Sequence, residues 1–282
     1  MQIIVDKRCV IGEGPVWREL DKKLYYVNSF GGNEICSLDM DGNFESRAVA
    51  KGVSALAFDK SNRLIVARDD GVFILKNDGS LEELYDTSKY KISFANDMKI
   101  GPDGRIYVGT LSEKNKGISN NIDGKLYSID RYGCVRILLD GLIASNGLEW
   151  SLDEKRFYHT DSATQIIREY AFDKESGEIS YTGRQIKVEG VDGFTIDERD
   201  RLYVGCWGRG HIARLETASM SIVDYISVPA KIPTSCAFVG ERLDTLAVTT
   251  ASYTSDVAVD KNAGYTILLK TDARGRKPYL FG

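Results

Sequence analysis

At 282 residues, with 43% hydrophobic and 28% charged residues and a net charge of −4, the chain has the profile of a folded globular protein with apolar surface enough for a sizeable core, which excludes disorder as its main character. This length suits one all-β domain as well as two smaller ones, so size alone does not divide it. The near-neutral balance lacks any clustered Lys/Arg run, which argues against nucleic acid or an anionic membrane surface as partner.

In chain order, the opening MQIIVDKRCVIGEG carries no apolar core or cleavage site of a secretory signal, and no apolar run approaches membrane-spanning length, so a cytoplasmic protein is expected. A unit of about 40 to 50 residues then recurs six times. Each unit begins with a short apolar strand rich in small residues: GPVWRE from Gly14, SALAFDK from Ser54, DMKIGP from Asp97, GLEWSL from Gly147, GFTIDE from Gly193 and SCAFVG from Ser235. A polar turn and a second strand follow, as DKKLYYV from Asp21, SNRLIVA from Ser61, DGRIYVG from Asp103, DEKRFYH from Asp153, RDRLYVG from Arg199 and ERLDTLAVT from Glu241. Third strands read EICSLD, GVFILK, KLYSID, IIREYAFD, HIARLE and YTILLK, and polar fourth strands include FESRAVA, LEELYD and VRILLD. Period-two alternation between Gly/Asn/Asp turns, with no sustained helical periodicity, predicts very little helix.

The predicted fold is therefore all-β: residues 1–282 as a single six-bladed β-propeller domain, with four-stranded antiparallel blades around a central channel. The leading IIVDKRC segment has no blade of its own and is expected to pair with the last blade, removing an exposed edge. The DGN, DGS and DGR tripeptides read as hairpin turns and not as calcium loops. Cys9, Cys36, Cys134, Cys206 and Cys236 are odd in number and show no C-x-x-C spacing, so reduced, mostly buried thiols are expected in place of a disulfide framework or zinc ribbon.

Aligning the six first strands on Trp17, Phe58, Ile100, Trp150, Ile196 and Phe238 puts Glu13, Ser54, Asp97, Asn146, Asp192 and Thr234 at the mouth of the channel, at or just before the strand starts. All are polar. Glu13, Asn146 and Asp192 offer the carboxylate and amide oxygens that a hard divalent cation requires. Gly14, Gly147 and Gly193 follow them and would let backbones pack closely below an axial metal site.

These residues and the runs around them, GEGPVW from Gly12, ANDMKIGPDGRIYVGT from Ala95, SNGLEWSLDEKRFYHTDS from Ser145, VDGFTIDERDRLYVGCWG from Val191 and PTSCAFVGERLDTLAVTTAS from Pro233, resemble the gluconolactonase, regucalcin and luciferin-regenerating enzyme family. The resemblance runs through the whole chain in family order. It implies a six-bladed propeller with one catalytic divalent metal ion (Ca, Zn, Mn or Mg), held by Glu13, Asn146 and Asp192, and a substrate-contacting Asn at Asn96. It also exposes departures: Phe94 stands where regucalcin-like members have Arg, Met98 where they have Gly, and a family Glu that helps hold the sugar falls near Lys114.

The expected activity is metal-dependent opening of a sugar or related small lactone, the metal polarising the carbonyl and Asp192 acting as both ligand and general base. Asp97 would orient Asn96 or a metal-bound water. The alternatives are an organophosphate or ester hydrolase on the same metal, and a non-catalytic calcium-binding propeller scaffold. No G-x-S-x-G elbow is present. His159 and His211 read as structural, His159 being the one able to approach the channel, and Trp207 either lines the pocket or packs between blades.

Overall fold

The computed structural model describes residues 2–4, 7–49 and 52–282. Its strands are β1 (Gln2–Ile4), β2 (Ile11–Arg18), β3 (Lys23–Ser29), β4 (Glu34–Asp39), β5 (Phe44–Ala48), β6 (Val53–Phe58), β7 (Leu64–Arg68), β8 (Gly71–Leu75), β9 (Leu81–Glu83), β10 (Ala95–Ile100), β11 (Ile106–Thr110) and β12 (Gly124–Ile129). The chain continues through β13 (Val135–Leu142), β14 (Ser145–Trp150), β15 (Arg156–Asp161), β16 (Ile166–Phe172), β17 (Ile179–Lys187), β18 (Val191–Ile196), β19 (Arg201–Cys206), β20 (His211–Glu216), β21 (Ser221–Ser227), β22 (Pro233–Val239), β23 (Thr245–Thr250) and β24 (Thr266–Lys270). Among the described residues there is no helix, and so none long and apolar enough to cross a membrane.

The strands form six sheets of four: β2 to β5, β6 to β9, β10 to β13, β14 to β17, β18 to β21, and β22, β23, β24 with β1. These are the blades of a six-bladed β-propeller. The leading segment pairs as expected, Gln2 with Leu268 and Ile4 with Thr266, so β1 becomes the fourth strand of the last sheet.

Two compact units divide the chain: Met1–Val53 with Ile186–Pro278, and Ser54–Gln185 with Tyr279–Gly282. In the first, Trp17, Leu24, Tyr26, Cys36, Tyr203, Phe238, Leu246 and Ile267 belong to one buried cluster. The second holds an aliphatic cluster that includes Ile65, Ile74, Ile92, Ile106 and Val108, and an aromatic one built on Tyr107, Trp150, Phe157 and Phe172. Within the latter, Tyr107 meets the Trp150 ring edge-on at 4.8 Å, and Trp150 lies 5.0 Å from Phe157. Such pairs add about 0.5–1.5 kcal/mol beyond the area they bury.

The repeated polar turn has a physical basis. Asp103 Oδ2 accepts from Arg105 Nη1 (2.6 Å) and the Tyr107 hydroxyl (2.7 Å). In another blade, Asp197 Oδ2 accepts from Arg201 Nε (2.8 Å) and the Tyr203 hydroxyl (3.2 Å). A buried carboxylate thus ties a turn to the strand it opens. Burial, then the nearby Asp103 carboxylate, drives the Tyr107 hydroxyl well above its ordinary pKa. The Asp-Gly tripeptides are the turns expected of them: Gly42, Gly79 and Gly104 take φ of 91°, 89° and 75°. The fourth strands are the wet ones. β14 is buried at every position, whereas β17 and β21 are mostly exposed or half-buried.

Candidate functional site

The first strands β2, β10, β14, β18 and β22 share one irregularity. Between Glu13 and Val16 the β2 chain advances three residues while its partner β3 advances two, from Val27 to Tyr25. The same single extra residue occurs in β10 between Ala95 and Met98, in β14 between Asn146 and Leu148, in β18 between Val191 and Phe194, and in β22 between Pro233 and Ser235. A bulge of this kind bends the strand, frees a residue from the ladder and re-aims its side chain. Glu13, Asp97, Asn146, Asp192 and Thr234 stand on or beside these bulges, at the second or third strand position and not at the starts themselves.

One expectation is corrected. Glu13, Ser54, Asn146, Asp192 and Thr234 all lie four residues before their aligned aromatic or aliphatic partner, but Asp97 lies three before Ile100. The equivalent position in β10 is Asn96. Thr234 and Ser54 serve the scaffold: the buried Thr234 Oγ1 donates to Gly12 O (2.5 Å) and lies 2.9 Å from Thr249 Oγ1, and Ser54 Oγ donates to Ala67 O (3.3 Å).

Glu13 and Asp192 belong to the first unit, Asn96, Asp97 and Asn146 to the second. In the first, Glu13 is half-buried and its Oε2 accepts from Gly14 N–H at 3.3 Å, with Gly14 at φ 56°. The Thr234 bond to Gly12 O ties the backbone just before Glu13 to β22. Asp192 is buried at 5% exposure. Beside it, a side chain on Gly193 would put Cβ 2.2 Å from Ser235 Oγ, and one on Gly205 would put it 2.5 Å from Thr234 O, so glycine is what lets β18 and β19 approach β22. Burial pushes the nearby Cys206 thiol up to about 11, with the Asp192 carboxylate adding to the rise.

In the second unit, Asn96 Nδ2 donates to Ser145 O (2.9 Å), joining β10 to β14 at the residue before Asn146. Asn146 is 9% exposed, its Oδ1 accepts from Gly147 N–H (3.1 Å), and Gly147 takes φ 36°. Asp97 accepts from Met98 N–H (2.8 Å). Burial raises its carboxyl above the ordinary value, the positive charge of Lys99 opposing. Lys99 Nζ reaches the buried Glu149 carboxylate at 2.8 Å.

His159 and Ser145 form a buried pair, Nε2 to Oγ 2.8 Å. Burial, then repulsion from Arg168, lowers His159 to about 3, so the ring is neutral. Gly109 makes room for this pair, since its Cβ would lie 2.1 Å from Ser145 Oγ. His211 stands edge-on to Tyr225 at 4.5 Å. Trp207 is half-buried, and its backbone N–H donates to Gly190 O (2.7 Å). The Ser145–His159 and Lys99–Glu149 pairs escaped sequence reading because each joins residues far apart in the chain, and only the His in HTDS hinted at either.

Among the described residues no group of three or more His, Cys, Asp or Glu stands ready to hold a metal. The expected set has two carboxylates and one amide, so it is not of that type. Its donor chemistry, all oxygen, suits a hard divalent cation.

The SMP-30/Gluconolactonase/LRE-like family model matches residues 11–252. The chain belongs to this family. A Bacillus subtilis (strain 168) protein provisionally named as a sugar lactone lactonase, YvrE, is 34% identical over 254 residues, covering 88% of this chain and 85% of the relative. Regucalcin of Danio rerio is 28% identical over 302 residues, covering 100% and 98%. Among solved structures, a calcium-binding regucalcin from Agrobacterium tumefaciens superposes with a TM-score of 0.87 at 23% identity, over 100% of this chain and 97% of that one. The blade arrangement is thus the one the family shares.

Proposed function

We propose that the chain is a metal-dependent lactonase, with Glu13, Asn146 and Asp192 holding one divalent ion. The observation that carries the reading is the shared bulge: each of these oxygen donors stands at it and is followed by glycine. Membership of the gluconolactonase-like family and the lactonase name of the Bacillus relative support the same reading. A bound cation supplies carbonyl polarisation and a more acidic water.

The remaining chemistry falls to the chain's own side chains. Asp192 takes the proton of the attacking water. The water oxygen bonds to the acyl carbon, the ring C–O bond breaks, and the proton passes to the departing alkoxide, leaving a hydroxy acid. An amide carries two N–H donors; Asn96 gives one to Ser145 O and offers the other to a substrate hydroxyl or ring oxygen.

The test is proton release from a panel of aldonolactones and phosphotriesters by protein stripped with chelator, then resupplied separately with Ca²⁺, Zn²⁺, Mn²⁺ or Mg²⁺. Lactone turnover that appears only with metal is expected. Turnover confined to phosphotriesters would replace the lactonase reading with an ester hydrolase, and no turnover with any ion would leave a binding scaffold.

A further inference from the structure

Thr234 holds in β22 the place that Glu13 and Asp192 hold in β2 and β18, four residues before the aligned apolar side chain. It is the extra residue of the β22 bulge: Pro233 pairs with Thr250 and Ser235 with Thr249, and Thr234 falls between these pairs. The residue is fully buried, and its hydroxyl is committed to protein. A hydroxyl has one proton to give. Thr234 gives it to Gly12 O at 2.5 Å, so the Thr249 hydroxyl, 2.9 Å away, donates to Thr234. Thr249 Oγ1 also lies 3.2 Å from Ser235 O. Two buried hydroxyls thus run in series toward the carbonyl of the residue before Glu13.

Both carboxylate-bearing strands of the first unit meet at this point. On one side, a Cβ on Gly12 would lie 3.1 Å from Thr250 O and 3.4 Å from Thr249 Cβ, so β2 closes onto β23 as well as onto Thr234. On the other, a Cβ on Gly193, next to Asp192, would lie 2.6 Å from Ser235 Cβ, and one on Gly205 would lie 2.5 Å from Thr234 O. Cys236 Sγ donates to Tyr203 O at 3.2 Å, joining the next residue of β22 to β19. The β2 side is therefore fixed by a directional hydrogen bond, and the β18 side by contact.

We infer that Thr234 is a positioning residue of the ion site proposed above: β22 supplies none of the three proposed ligands, but its bulge holds β2 and β18 so that Glu13 and Asp192 bear on one ion. Ligands fixed before the ion arrives cost less to order when it binds. Thr234 acts through the Gly12 carbonyl, so its effect falls on Glu13. The inference rests on the metal-site reading.

The experiment is titration calorimetry on chelator-stripped protein, using whichever of Ca²⁺, Zn²⁺, Mn²⁺ and Mg²⁺ wild type binds most tightly, with urea unfolding of every variant alongside. Thr234→Val keeps the side-chain shape and removes the hydroxyl; it should weaken ion binding about ten-fold, the scale of one buried hydrogen bond. Thr234→Ser, which keeps the hydroxyl, should stay within about two-fold of wild type. Combined with Asn146→Asp, Thr234→Val should again cost about ten-fold. Combined with Glu13→Gln it should cost no more than about two-fold, because the ligand it positions is already altered. Thr249→Val, which removes the donor behind Thr234 and carries the test if Thr234→Val does not fold, should weaken binding about three-fold with the same dependence on Glu13. A hydroxyl that only stabilises the fold would lower the urea midpoint and leave affinity unchanged, or would weaken all backgrounds alike. Either result, or failure of Thr234→Ser to restore affinity, overturns the inference and leaves the ion site standing. A wild type that binds none of the four ions overturns both.

Discussion

In β14 the buried Asn146 stands one place into the strand, followed by Gly147 at φ 36°; in β18 the buried Asp192 stands one place in, followed by Gly193 outside the left-handed region. Both strands carry one extra residue at this point relative to their partners. The two glycines read alike in sequence but answer different needs. Gly147 supplies a backbone angle that an L side chain strains to adopt. Gly193 supplies space, because a Cβ there would collide with Ser235 at 2.2 Å from Oγ and 2.6 Å from Cβ. The flanking support differs too. Beneath Asn146 lies a polar pair, Ser145 with His159, whereas the strand beside Asp192 is fitted by close backbone approach to β22.

The comparison can be broken at four points. The largest effect is expected at the carboxylate: Asp192→Asn should lower kcat/KM by about a thousand-fold and weaken metal binding by calorimetry, while Asn146→Asp, which keeps an oxygen donor, stays within about ten-fold. Equal losses from the two would remove any distinct proton-accepting role for Asp192.

Next comes the acid limb of stability. His159 titrates near 3 in the folded chain against about 6.5 when unfolded, so the unfolded state takes up the proton first as pH falls. Stability is fully present above pH 6.5 and is lost progressively toward pH 3, about 3 kcal/mol of it between pH 7 and pH 4. Urea unfolding across that range should show a shallower acid slope for His159→Gln than for wild type; parallel slopes would mean the ring is not held neutral by burial.

The glycines follow. Gly193→Ala should cost about 2 kcal/mol by overpacking, and Ser235→Gly in the same chain should recover part of it. Gly147→Ala should cost about 1 kcal/mol through backbone strain, no neighbouring truncation should restore it, and Gly147→Asn should be milder because Asn tolerates the left-handed region. If Ser235→Gly fails to rescue Gly193→Ala, space is not what that glycine provides.

Much of this could be read before any coordinates. The six blades, their first and second strands, the pairing of the N-terminal segment and the Asp-Gly turns follow from patterns that repeat, and a repeat averages out local ambiguity. The counting failed at Asp97. Asp97 lies three residues before Ile100 where the other five lie four before their partners, and in β10 no glycine follows the polar residue to flag the slip; Asp97 and Met98 come instead.

By itself, the sequence determined the strand alternation, the sixfold recurrence and the oxygen-bearing residues at Glu13, Asn146 and Asp192, because side-chain chemistry and local periodicity are properties of neighbours in the chain. Tertiary structure alone decided that Gly147 and Gly193 serve different ends and that His159 is a neutral partner of Ser145. Each of these depends on distances between strands or loops separated by many residues, and no local pattern encodes them.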